Sequence, residues 1–146
     1  MKKIWMAVAA VGLLLALAWW TKQKLEEKTQ NDLRAELMTV HDEVMPKMGE
    51  LTMLAGRVKE MLRDSSMDAE VRTELESLLV RMESAEEGMM DWMAAFKQPE
   101  ALRSSMDHPA IMTYLQQEKT TISQVASHIN EGIEQGKYWV DKPGTN

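Results

Sequence analysis

Cysteine is absent from the 146 residues. Its absence excludes disulfides, thiolate metal sites, a cysteine nucleophile and a lipidated N-terminal cysteine, and leaves the redox compartment open. Catalytic signatures are also missing: there is no phosphate-cradling glycine loop, nucleophile elbow or EF-hand loop. His41, His108 and His128 are scattered, and none forms an H-x-x-x-H pair. Acidic pairs such as Glu26-Glu27 and Glu86-Glu87 fit solvated helix faces rather than acid–base chemistry. Neither an enzyme nor a cofactor is expected. Basic residues are the minority, 17 against 23 acidic ones for a net charge of −6, and no basic stripe forms, which argues against nucleic acid. Beyond residue 20 the aromatics reduce to Trp92, Phe96, Tyr114, Tyr138 and Trp139. Strand patterning of period two never lasts more than a few residues.

What is present begins with an uncharged run, Ile4 to Trp20, directly behind Met1-Lys2-Lys3. A basic start followed by an apolar core is the layout of an export signal. Ala16-Leu17-Ala18 has the small-x-small form of a cleavage site, which would make residues 1–18 a removed signal peptide. Trp19 and Trp20 favour retention, because indoles settle at membrane–water boundaries with their rings buried and their N–H groups wet. The expectation is a transmembrane signal-anchor over residues 1–20, with residues 4–20 contacting the membrane. It would be single-pass and N-in at a bacterial inner membrane, with residues 21–146 periplasmic. Residues 21–32 carry charge and one aliphatic, and read as a solvated helical stalk.

The rest is all-α by its spacing. Apolar residues recur at intervals of three and four along three stripes. One runs from Leu33 through Leu37, Val44, Leu51 and Leu54 to Met61, and a second from Val71 through Leu78, Met82 and Met89 to Phe96. The third runs from Ile111 through Leu115, Ile122 and Ile129 to Ile133. Lys47 and Glu118 intrude on these stripes, where charges can set register or partner choice. Such spacing predicts an antiparallel, coiled-coil-like three-helix domain over 33–138, with helices at about 22–64, 66–97 and 108–138. Ser65-Ser66-Met67-Asp68 has capping-box form, Pro99 closes the second helix, and Asp107 caps the third ahead of Pro109. Gly132 and Gly136 read as fraying towards a flexible tail over 139–146. Pro46 lies inside the first pattern, so that helix should be kinked there.

Chemically capable groups concentrate in His41-Asp42-Glu43-Val44-Met45-Pro46-Lys47-Met48-Gly49. His41, Met45 and Met48 stand at i, i+4 and i+7 on one face, and an imidazole with two thioethers suits a copper-type ion. Methionines at that spacing also serve as core filler. Met89, Met90, Trp92 and Met93 form a second soft cluster, a candidate interaction patch. Together the two strings resemble a family of uncharacterised bacterial envelope proteins that carry HDEVMPKMG-like and MMDWM-like segments. Its members are often labelled "viral A-type inclusion protein"-like for their coiled-coil character, and many are lipoproteins. The resemblance covers Leu37 to Ile133 and implies a helical domain in the envelope, without a mechanism. This chain departs from the pattern in having no lipobox cysteine.

The functional expectation is a membrane-tethered, extracytoplasmic helical interaction module. Its partner would be an envelope protein or a second copy, bound in the groove near Pro46 and the methionine-tryptophan patch. The alternative is a periplasmic metal-binding or metal-sensing protein using His41, Met45 and Met48. A holdase-like chaperone is a third reading, supported only by helicity and methionine content.

Overall fold

Stripes spaced three and four apart have one outcome in water: helices that turn those stripes inward on each other. The computed structural model describes the backbone of residues 2–142 and the side chains of 5, 6 and 10–142. Within it α1 runs Lys2–Val44, a 3-10 turn occupies Met45–Lys47, and α2 follows over Met48–Met61. Next come α3 over Ala69–Ala95, the short α4 over Pro99–Leu102, and α5 over His108–Asp141. No strand occurs among the described residues.

Side-chain pairs fix the directions. Thr52 Oγ1 donates to Glu86 Oε1 at 3.1 Å and Lys59 pairs with Glu83, so α2 and α3 run antiparallel. Arg81 donates to Gln135 Oε1 at 2.8 Å, while Gly88 faces Val125, so α3 and α5 are antiparallel too. Glu36–Lys119 at 2.6 Å and Glu50–Lys137 at 2.7 Å place the α1–α2 rod parallel to α5. The result is an up-down-up arrangement around Leu37, Val44, Leu51, Leu75, Leu78, Met82, Met89, Ile111, Leu115, Ile122 and Ile129, each at most 2% exposed.

The 3-10 turn follows from Pro46, which has no N–H and crowds the preceding turn, so α-helical bonding cannot pass through it. Lys47, the expected polar intruder, lies outside the core and donates to Asn130 Oδ1 at 2.7 Å. At the head of α3, Asp68 accepts from the N–H groups of Glu70 and Val71, so the cap is Asp68 and not the serines before it. Asp64 holds the preceding turn by accepting from the Ser66 N–H at 2.8 Å and hydroxyl at 2.7 Å. Asp107 caps α5 through Ala110 N–H at 3.0 Å.

Three places differ from the sequence expectation. First, no helix among the described residues is long and apolar enough to cross a membrane, so the transmembrane helix is corrected. The uncharged run Ile4 to Trp20 makes roughly 25 Å of helix at about 1.5 Å per residue, against about 30 Å of hydrocarbon. The same helix then continues unbroken into Lys22, Lys24, Glu26 and Glu27. A single-pass topology, which requires a span, is not a property of the described helices.

Second, the charged stretch is not a solvated stalk throughout. Gln30 is 3% exposed, packed where α1 passes the corner between α4 and α5.

Third, Gly132 and Gly136 do not mark fraying; both are buried inside α5. A Cβ at Gly132 would stand 3.0 Å from Leu51 Cδ1, and one at Gly136 would stand 3.2 Å from Leu54 Cβ and from Met82 Cε. These glycines let α5 approach α2 and α3 closely. Beyond them Trp139 is 9% exposed and the helix reaches Asp141. Residues 143–146 of the expected tail lie outside the described residues.

Candidate functional site

The two soft strings meet. Antiparallel pairing of the first rod with α3 brings the His41 ring to 5.7 Å from the Trp92 ring, centroid to centroid, at a tilt of 36°. From there the aromatics continue as a ladder: Trp92 to Phe96 at 5.0 Å, then Phe96 to Tyr114 of α5 at 6.3 Å. At its far end the Lys97 N–H donates to Tyr114 Oη at 2.7 Å. Burial pushes the Tyr114 phenol above its ordinary value, opposed by that bond and helped by the charge of Glu118.

His41 sits near the surface with 16% of its side chain exposed, and its Nδ1 lies 2.8 Å from Asp42 Oδ1. With the proton on Nδ1 donated to that carboxylate, the Nε2 lone pair is left available. Met45 and Met48 are half-buried and pack on the core cluster that contains Met89 and Trp92. The Trp92 side chain is 5% exposed, and its Nε1–H has no acceptor, an uncommon state for a buried donor.

The other candidate residues separate by helical geometry. Positions 89, 92 and 93 share a face of α3 while 90 points away. Met89 is fully buried, Met93 half-buried, and Met90 is 56% exposed. The four therefore do not make one open patch; Met90 alone offers a large free surface. His128 is exposed on α5, beside a groove of about 200 Å³ lined by Val80, Arg81, Ala85 and Gly132. No cluster of three or more histidine, aspartate or glutamate side chains able to hold a metal occurs among the described residues.

One site was missed by sequence reasoning. Gln30 Oε1 accepts from Arg103 Nε at 2.8 Å, and Gln30 Nε2 lies 3.1 Å from His108 Nδ1. Arg103 also donates to Asn31 Oδ1 at 3.1 Å. Gln23, Glu26, Glu27 and Met106 complete a polar pocket of about 140 Å³ around this node. Lys24, bonded to Glu27 at 2.9 Å, holds that carboxyl below its usual range, and the Arg103 charge adds to the effect. The node clamps α1 to the α4–α5 corner. Its only trace in the sequence was an amide in a charged run, which carries no periodic signal.

Set beside family models, curated proteins and solved structures, the chain matches none of them.

Proposed function

We propose that this chain is a helical interaction module that docks on a lipid surface through the apolar N-terminal part of α1, leaving its bundle free for a protein partner. The observation that carries the reading is exposure. Val11, Leu13, Leu14, Leu15, Leu17, Trp19 and Trp20 are all between 50% and 66% exposed, and Trp5 is 75% exposed. Stepped at about 100° per residue, those from Val11 onward leave no azimuth gap wider than about 100°. A patch on one side of a helix suits one partner, whereas a helix apolar all round suits immersion.

The flanks support the same reading. Trp19 and Trp20 sit where apolar turns give way to charged ones, a position indoles favour at lipid boundaries. Lys22, Lys24 and Lys28 follow, paired along the helix with Glu26, Glu27 and Asp32, so the turns behind the tryptophans carry balanced charge that belongs in water and ends the apolar part. The reading asks for immersion of these turns, not a crossing. On the bundle, Met53 of α2 and Met90 of α3 are more than half exposed, and flexible thioethers adapt to varied protein surfaces.

Flotation of the full chain with vesicles of phosphatidylcholine and phosphatidylglycerol tests the proposal. The chain should rise with the vesicles, and a Leu14→Glu/Leu17→Glu variant should stay in the aqueous fraction. A chain that remains aqueous, or a variant that floats equally, overturns it. So does lipid-free self-association abolished by the same variant, since a second copy would then cover the helix.

A further inference from the structure

At the node that clamps α1 to the α4–α5 corner, one side chain faces two others, and hydrogen-bond chemistry fixes the state of all three. Arg103 Nε can only donate, so the Gln30 atom 2.8 Å from it is the oxygen. The Gln30 amide nitrogen is thereby turned to His108 Nδ1, at 3.1 Å. An amide N–H donates, so Nδ1 must accept, and the closed node holds His108 neutral with its proton on Nε2. A second proton goes to Nδ1 and sets two donors against each other. Turning the Gln30 amide over gives no relief, because its nitrogen would then oppose Arg103 Nε. We propose that this node is a pH-operated latch: a proton on His108 breaks its bond to Gln30 and loosens the N-terminal half of α1 from the bundle.

Position gives the latch its effect. Gln30 is 3% exposed, so water does not readily replace a lost acceptor. It is the first buried residue of α1 among those described, and every side chain from 10 to 25 is exposed. On that side α1 borders a pocket of about 140 Å³. The charges around His108 come from each neighbouring element. Glu26 and Glu27 of α1 line the pocket with it, paired with Lys22 at 3.6 Å and Lys24 at 2.9 Å. Arg103 lies at the corner with Glu100 4.0 Å away, and Asp107, next in the chain, is engaged at Ala110 N–H. Lys24 holds Glu27 below the usual carboxylate range, so Glu27 is still ionised where imidazoles take up their protons. The pocket therefore offers a charged imidazole a carboxylate in place of the Gln30 amide. The latch belongs to the bundle and does not rest on lipid docking.

Hydrogen exchange of the full chain, corrected for the intrinsic rate at each pH, tests the latch between about pH 7.5 and about pH 5.5, within the range where imidazoles charge. Protection over residues 21–33 and 103–111 should fall about tenfold at the lower pH, while residues 75–92 of α3 stay constant. His108→Asn puts an amide oxygen where Nδ1 accepts and brings no titrating group, so it should keep its protection at both pH values. Gln30→Glu should reverse the trend, because its two oxygens accept from Arg103 and from a charged His108 together. Circular dichroism checks that the helices persist, and Gln30→Glu keeps the test valid should His108→Asn unfold. An unchanged wild type, an equal fall in His108→Asn, a fall in Gln30→Glu or a loss spread evenly through α3 overturns the proposal. No readout involves vesicles, so failure here leaves the lipid-docking reading standing, and the reverse also holds.

Discussion

Two halves of one helix have opposite fates. Over residues 10–20, α1 is the most apolar part of the chain, and every side chain is exposed. Over residues 30–44, the same helix is polar on most sides, yet it buries Gln30, Leu37 and Val44 to 3% exposure or less. Hydrophobicity alone therefore does not decide burial here; having a partner does. The second half has α5 alongside it from His108 onward, whereas the first half extends past the end of the bundle. An apolar helix with no partner in its own chain calls for one from outside.

The sharpest test of this contrast is truncation on both sides of it. Leu37→Ala removes a fully buried side chain and should cost about 2–5 kcal/mol in urea denaturation followed by circular dichroism. Leu14→Ala in the open half should change stability by less than about 0.5 kcal/mol. Comparable losses in the two variants would show that the open half is packed after all.

A smaller effect is expected at the boundary. Gln30→Leu leaves Arg103 Nε without its acceptor and should cost about 1–3 kcal/mol. Hydrogen exchange should show the loss concentrated around residues 23–31 and 103–111, the two sides of the clamp. A uniform loss across α3 would mean that the node is not what holds α1 to the corner.

The smallest expected effect is acid sensitivity. Asp64 is held below its ordinary value by the Ser66 hydroxyl and N–H, and Glu27 by Lys24. A depressed carboxyl contributes stability above its unfolded value, and that contribution is lost as pH falls through the folded one. The share of stability that these two carboxyls supply should therefore be lost as pH falls from about 5. Asp64→Asn should flatten a small part of that decline, because both carboxyls are at the surface and screened by solvent. An unchanged acid profile in the variant would remove Asp64 from the account.

The stripes were legible because helical periodicity is local. Leu37, Leu51, Leu75, Leu78, Met82, Met89, Ile111, Leu115 and Ile129 could all be placed inside from spacing alone. Asp107 as a cap was legible for the same reason, since a cap and its helix are neighbours in sequence. Gly132 and Gly136 were misread because glycine signals both a breaker and a close approach, and only Leu51, Leu54 and Met82 across the interface distinguish the two. In the candidate metal site, the stripe of His41, Met45 and Met48 could be read directly. Its meeting with Trp92 depended on how the helices pair.

By itself, then, the sequence determined an all-helical chain, its inward stripes and most of its punctuation, because each follows from contacts within a few residues. Tertiary structure decided which exceptions to those patterns matter. It buried a glutamine from a charged run, put glycines at a close crossing, set an imidazole against an indole fifty-one positions away, and left the most apolar turns uncovered. All four depend on which helix lies alongside which, and on where the bundle ends, and no local pattern encodes either.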